Sequence, residues 1–428
     1  MAIASLLPDS IPIFDIRVLS DKDEENIWKI LKIIFPTWLK EYTKVQTLEE
    51  GLSNIVIRFD YDNQKEENKT ILMRIRRKLA DYITNRWDEI KHMYILRELG
   101  HEQELYGIFQ NGLVYSFIKG STINVDNFSV LKYSELIIDQ LARLHSLPTK
   151  ETMQRLLTDK SNNGQLCTKP VLLPTIRNWI ENLPTGYSDK KKSEKLENEF
   201  PSKAFLLKEL LHMYSRFLMN QTVLLLFMIL KYYFIDKEFF YICIPFLSVS
   251  IFICIFSLLH HCHHKESVHF IDFEYCGFNH AAFDIGNHFC EFAGIDVKFD
   301  KYPTIEYQQM WISRYLKAKN YYERQFNRKE ISHDGFSSTT AFNVSSSYST
   351  NSNDQDHHNN NCDNESLLEK WLIEVNNFAL SAHLFWGVWA VVLSIQEENK
   401  FDYLSYGISR MNQYYIMKEH LIKTTLGS

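Results

Sequence analysis

Residues 268–292 read VHFIDFEYCGFNHAAFDIGNHFCEF, and the placement of their acids decides how the rest of the chain is read. Period-two alternation through VHFIDFEY puts Val268, Phe270, Asp272 and Glu274 on one face of a predicted strand. A carboxylate ending an apolar strand is costly unless it binds a cation, so Asp272 is the candidate metal ligand. Asp284 directly precedes IGNHFCEF and is placed to cap the helix predicted there.

The 428 residues suffice for one large two-lobed domain or two ordinary ones, and 45% hydrophobic with 23% charged residues is a globular composition. A net charge of −6 gives no general basic surface, which argues against nucleic acid as a partner. The seven cysteines (167, 243, 254, 262, 276, 290 and 362) are odd in number and form no C-x-x-C pair. That is the pattern of reduced thiols in a cytoplasmic protein. MAIASLLPDSIPIFDIRVL lacks a basic leader, and Pro8 and Asp9 interrupt its apolar run, so it does not read as a signal peptide.

Short strand patterns alternate with helical ones over the first ~120 residues. SDKDEENIWKILKIIF (20–35) predicts a helix with Ser20 as N-cap and acids in its first turn. SNIVIRFDYD (53–62) and KTILMRIRR (69–77) alternate like paired strands, and WDEIKHMYILREL (87–99) predicts an amphipathic helix. LYGIFQ and NGLVYSFIKG flank Asn111-Gly112, a strong hairpin signal. Together these elements predict an α+β unit, a small antiparallel sheet with one helix. Beyond residue 121 the pattern turns mainly helical, most clearly in 133–147 and 365–396.

Two segments break the pattern. Residues 336–366 are Ser/Asn-rich with almost no core-forming side chains and predict a disordered surface insertion. Residues 219–265 are anomalously hydrophobic, and 239–259 run twenty-one residues without one charge, the length of a membrane span. The run of His260, His261, Cys262, His263 and His264 has no second ligand pair at metal-site spacing and reads as coincidence.

Nine stretches resemble the choline/ethanolamine kinase family in order and spacing, and most closely its ethanolamine kinase branch. They are EEGLSN, ILMRIRR, DEIKHMYILRELG, LYGIFQNGLVYSFIKG, LARLH, LPTGYSD, FIDFEYCGFNHAAFDIGNHFCEFAG, NNFALSAHLFWGVWA and FDYLSYGISRMNQYY. The resemblance spans roughly 25–218 and 266–425 and implies a protein-kinase-like two-lobed fold. Its N-lobe (1–120) would bind nucleotide; its helical C-lobe (121–428) would hold magnesium and the amine.

The implied chemistry is ATP-dependent phosphorylation of ethanolamine, with choline as the alternative substrate. By the same resemblance Gly51, Leu52, Ser53 and Asn54 form the phosphate loop, Arg74 reaches the ATP phosphates, and Glu89 positions Arg74. Phe117 and Ile118 lie in the hinge that meets adenine through main-chain groups. Asp272 would bind Mg2+, and Asp284 would brace the catalytic loop. Glu291 with Trp386, Trp389 and Tyr406 would hold the amine by charge and cation–π attraction. The resemblance admits a homodimer, and no membrane partner unless 239–259 form a real span.

One family feature is missing. The catalytic loop of the family reads His-x-Asp-x-x-x-x-Asn shortly before the metal strand, yet this chain holds no His-x-Asp triplet anywhere. Asp236 is a stray candidate without its asparagine. Three accounts stay open: residues 219–265 replace the loop through a mis-joined segment, the segment is real and the chain is a membrane-attached pseudoenzyme that binds nucleotide or amine without turnover, or another residue supplies the base.

Overall fold

A computed structural model of the protein describes residues 7, 10–48, 54–63, 67–77, 83–123, 125–148, 152, 170–213, 215, 255–256, 267–331, 360–395 and 401–426. Gly51, Leu52, Ser53, Asp236, the histidine run at 260–264, residues 336–359, and all of 219–265 but 255–256 lie outside that set.

The N-terminal sheet is built by β1 (Ile13–Phe14), β2 (Thr43–Leu48), β3 (Asn54–Asn63), β4 (Glu67–Arg76), β5 (Leu105–Phe109) and β6 (Gly112–Ser116), in the order β1-β5-β6-β4-β3-β2. Every pairing is antiparallel except β1 with β5. Alternation along β3 and β4 buries Ile57, Phe59, Tyr61, Ile71, Met73 and Ile75 in one core, beneath Ile27, Ile30 and Leu31 of α1 (Glu24–Ile34). The opposite face of β4 therefore carries Arg74 and Arg76, two residues apart, toward the remainder of the molecule.

The Asn111 side chain accepts the Val18 N–H at 3.0 Å and donates to the Val18 carbonyl at 2.7 Å, strapping the N-terminal segment onto the β5–β6 hairpin. A Cβ on Gly112 would stand 2.1 Å from the Arg74 carbonyl oxygen, so only glycine fits there.

The helices are α2 (Arg86–Glu98), α3 (Leu131–His145), α4 (Leu172–Glu181), α5 (Lys190–Glu199), α6 (Ala281–Glu291), α7 (Ile305–Ile331), α8 (Asn360–Leu393) and α9 (Tyr403–Leu426), with a further helical run at 203–213. α8 packs against both α6 and α9. By length and composition it could cross a membrane, but 94% of its most apolar window is buried, so it is the core helix.

Close approach of α6 and α8 depends on Gly286, where a Cβ would meet the Val375 carbonyl oxygen at 2.5 Å and the Ala379 nitrogen at 2.7 Å. Helix propensity favours alanine by about 1 kcal/mol, but backbone atoms cannot rotate away from an added methyl. Gly286→Ala is expected to cost about 1–3 kcal/mol net, read as a lower midpoint in urea unfolding. An unchanged midpoint would show that the two helices can separate freely.

Several expectations are corrected. α1 begins at Glu24 after Asp23, and Ser20 instead accepts the Lys22 N–H at 3.2 Å, so Ser20 is not the N-cap. β2 was unforeseen because TKVQTL is exposed at the sheet edge and carries no apolar alternation. α8 begins at Asn360, so the last seven residues of the Ser/Asn-rich stretch are helical. The strand expected over 268–274 pairs only at β9 (Val268–His269). β9 joins a small sheet with β8 (Ile255–Phe256) and β7 (Ser121–Thr122).

Candidate active site

Directly after β9 the chain turns, and Asp272 takes φ +68°, a left-handed backbone that aspartate tolerates better than most residues. The Cys276 N–H closes the turn on the Phe273 carbonyl at 3.0 Å. Asp272 and Glu274 thus reach the Arg74/Arg76 face of β4 through a turn, where alternation along a strand was expected.

Arg74 lies between two acids. Its Nη1 donates to Asp272 Oδ1 at 2.9 Å, and its Nη2 makes a close ion pair with Glu89 in the first turn of α2. Asn85 caps that turn by accepting the Trp87 N–H, which fixes where Glu89 points. Arg76 Nη1 stands 3.7 Å from the other Glu89 oxygen, and its Nη2 donates to the Thr84 carbonyl at 2.8 Å and hydroxyl at 2.9 Å. Asn54, the first residue of β3, donates to Glu274 Oε2 at 3.2 Å across the two parts of the molecule.

Arg74 and Glu89 are buried (6% and 1% side-chain exposure), whereas Asp272 is 35% exposed, so the acid at the rim is the one a ligand can reach. Three carboxylates here face two guanidiniums. The surrounding protein, and then the neighbouring Glu274 charge, raise Asp272 toward about 8, against the pull of Arg74 and of the solvent that reaches 35% of its side chain. Burial also raises Glu274. Oxygen donors of this kind, with Asp272 at the rim beside a phosphate-binding arginine, fit magnesium. Among the described residues no three metal-ligating side chains converge.

At the segment expected to form the hinge, the Phe117 N–H donates to the Thr70 carbonyl at 3.3 Å, and Arg58 covers the Phe117 ring at 4.5 Å. Ile118 is buried.

All four residues expected to hold the amine are enclosed. Glu291, at the end of α6, is 1% exposed and stands 3.7 Å from Arg410 Nη1 of α9, itself 0% exposed. Burial pushes Glu291 up to about 8, with Arg410 opposing. Tyr406, one turn before Arg410, lies with its ring 5.9 Å from that guanidinium. Trp386 and Trp389 meet edge to face at 5.4 Å on α8. The Trp386 indole donates to Asn287 Oδ1 at 2.8 Å, and the Trp389 indole to the Tyr275 hydroxyl at 2.7 Å. Glu291 thus groups with Tyr406 and Arg410, and the tryptophans with Asn287 and Tyr275.

Asp284 does not cap α6: the N-cap is His280, and Asp284 sits one turn inside. Its Oδ2 is held by His145 Nε2 at 2.9 Å, and His145 Nδ1 meets the Tyr315 hydroxyl at 2.7 Å. Asp284 therefore joins α3, α6 and α7. Sequence reasoning missed Asn287, Tyr275 and His145, whose hydrogen-bond partners lie between 99 and 170 residues away, and Arg410, which stands opposite Glu291 from the far end of the chain.

A strand-rich lobe carrying an Arg–Glu pair, facing a helical lobe that presents an acid on a turn, is the arrangement of a phosphotransferase with a protein-kinase-like fold. The chain belongs to the choline/ethanolamine kinase family, whose sequence model matches residues 45–415. It is 27% identical over 418 residues to mouse ethanolamine kinase 1, covering 95% of this chain and 94% of that one. It is 26% identical over 420 residues to a probable ethanolamine kinase of Nematostella vectensis, covering 97% and 99%. Among solved structures, a Plasmodium vivax ethanolamine kinase superposes with a TM-score of 0.63 at 20% identity, covering 92% of this chain and 89% of that chain. A Cryptosporidium parvum choline kinase gives 0.61 at 17%, covering 94% and 97%.

Proposed function

We propose that this chain transfers the γ-phosphoryl group of ATP to the hydroxyl of ethanolamine, with magnesium held at Asp272. The observation carrying this reading is the Glu89–Arg74–Asp272 chain of contacts, which joins a phosphate-binding cation to the acid at the rim. Arg74 would orient the phosphates, Glu89 would hold Arg74 in place, and Asn54 would close the phosphate loop onto Glu274. Magnesium, when bound, neutralises charge developing on the transferred group. Glu291 with Tyr406 would hold the ammonium end in competition with Arg410, 3.7 Å from Glu291, and Trp386 with Trp389 would line the site as a separate aromatic pair. Ethanolamine is favoured over choline because both full-length relatives compared above are ethanolamine kinases or probable ones.

A second reading has one observation in its favour: without a His-x-Asp triplet, the chain could bind nucleotide and amine without turnover. The test offers equal ethanolamine and choline with magnesium–ATP and separates the products. An excess of phosphoethanolamine supports the proposal, and an excess of phosphocholine replaces its substrate. ATP binding with neither product supports the second reading.

A further inference from the structure

The left-handed backbone at Asp272 persists only where surrounding contacts over-determine it. His101, just past α2, reaches across 169 residues to supply two of them. Its Nε2 lies 2.9 Å from the Phe270 carbonyl oxygen, two residues before Asp272, and its ring meets Phe273, one residue after, edge to face at 5.0 Å. Its Nδ1 accepts the Gln103 N–H at 3.2 Å, which assigns the neutral tautomer with the proton on Nε2 and makes the bond to Phe270 a donation. Burial favours that neutral form, lowering His101 to about 4. α2 thus controls both partners in the charge cluster: Glu89 in its first turn holds Arg74, and His101 beyond its last turn grips the loop of Asp272.

We propose that His101 is a positioning residue for magnesium, fixing the turn that aims the Asp272 carboxylate. This rests on the reading of Asp272 as the magnesium-holding acid. If His101 serves only general packing, its loss lowers stability without separating nucleotide from metal. If it positions Asp272, its loss acts on the magnesium-dependent part of nucleotide affinity alone.

The experiment is calorimetric titration of the full chain with ATP, with and without Mg2+, in the wild type and in Asp272→Asn, His101→Phe, His101→Ala and His101→Gln. His101→Phe keeps the ring against Phe273 but has no N–H. His101→Gln keeps an N–H at the same reach and guards against a collapsed alanine variant. Expected is a magnesium–ATP Kd raised about tenfold in His101→Phe and His101→Ala, the size of one well-placed hydrogen bond. ATP alone should bind as in the wild type, and His101→Gln should recover most of the loss. Asp272→Asn must abolish the magnesium enhancement; if it does not, the metal reading of Asp272 falls and this inference with it. If Asp272→Asn loses the enhancement while folded His101→Phe keeps it, or His101→Gln weakens both titrations alike, only the role of His101 is overturned.

Discussion

Asp272→Asn is expected to lower magnesium-dependent phosphoryl transfer by at least about 10²–10³-fold, the scale for removing a group that stabilises developing charge. Stability should not fall with it. Asparagine accepts the left-handed backbone at least as readily as aspartate, and its amide oxygen can still receive Arg74. The carboxylate it replaces is raised to about 8 by burial and by Glu274, so in the metal-free protein its charge opposes folding. The native state holds this proton where the unfolded chain, with the ordinary carboxylate value of 3.8, releases it. Native stability is therefore lost on this account as pH rises from 3.8 toward 8, and the asparagine variant escapes that loss. Melting curves without magnesium should converge near pH 4 and separate, with the variant higher, toward pH 8. A variant that melts lower throughout would show that the carboxylate has a structural role this account does not give it.

Glu89→Gln carries the second large effect, on stability and nucleotide binding together. Glu89 is 1% exposed and stands between Arg74 and Arg76, pairing closely with the first and lying 3.7 Å from the second. The amide keeps the shape and one acceptor oxygen but leaves two buried guanidiniums facing each other across a neutral group. Breaking one partner of a buried ion pair costs about 3–5 kcal/mol, and part of that should appear as a lower denaturation midpoint. ATP affinity should fall as well, because Arg74 loses the contact that aims it. Asp272→Asn and Glu89→Gln are thus separable: the first costs catalysis without stability, the second costs both.

Period-two alternation in 53–62 and 69–77 and the Asn111-Gly112 turn made β3, β4 and the β5–β6 hairpin legible, because each signal lies within ten residues of chain. The face of β4 bearing Arg74 follows from the same period. β1 and β2 were not legible: two residues of β1 carry no pattern, and β2 is an exposed edge held by its backbone. The turn at Asp272 was hidden for a related reason, since VHFIDFEY alternates well enough to pass for a longer strand. Contacts between distant residues were illegible in principle. Nothing near Glu291 signals Arg410, 119 residues further on, and nothing near Asp284 signals His145 on α3. Those partners emerge only once α3, α6, α8 and α9 are packed together.

The most direct measurement is the rate at which the full chain forms phosphoethanolamine from labelled γ-phosphate ATP and ethanolamine with magnesium, using Asp272→Asn as the blank. Kinases turn over at roughly 1–100 s⁻¹ and a general base contributes about 10²–10⁴-fold. With Arg74 and Asp272 in the proposed roles and no His-x-Asp triplet, the chain should form product at a rate reduced by about that factor and abolished in the blank. Product at the same rate in wild type and blank, or none in either while ATP binds, would contradict the account.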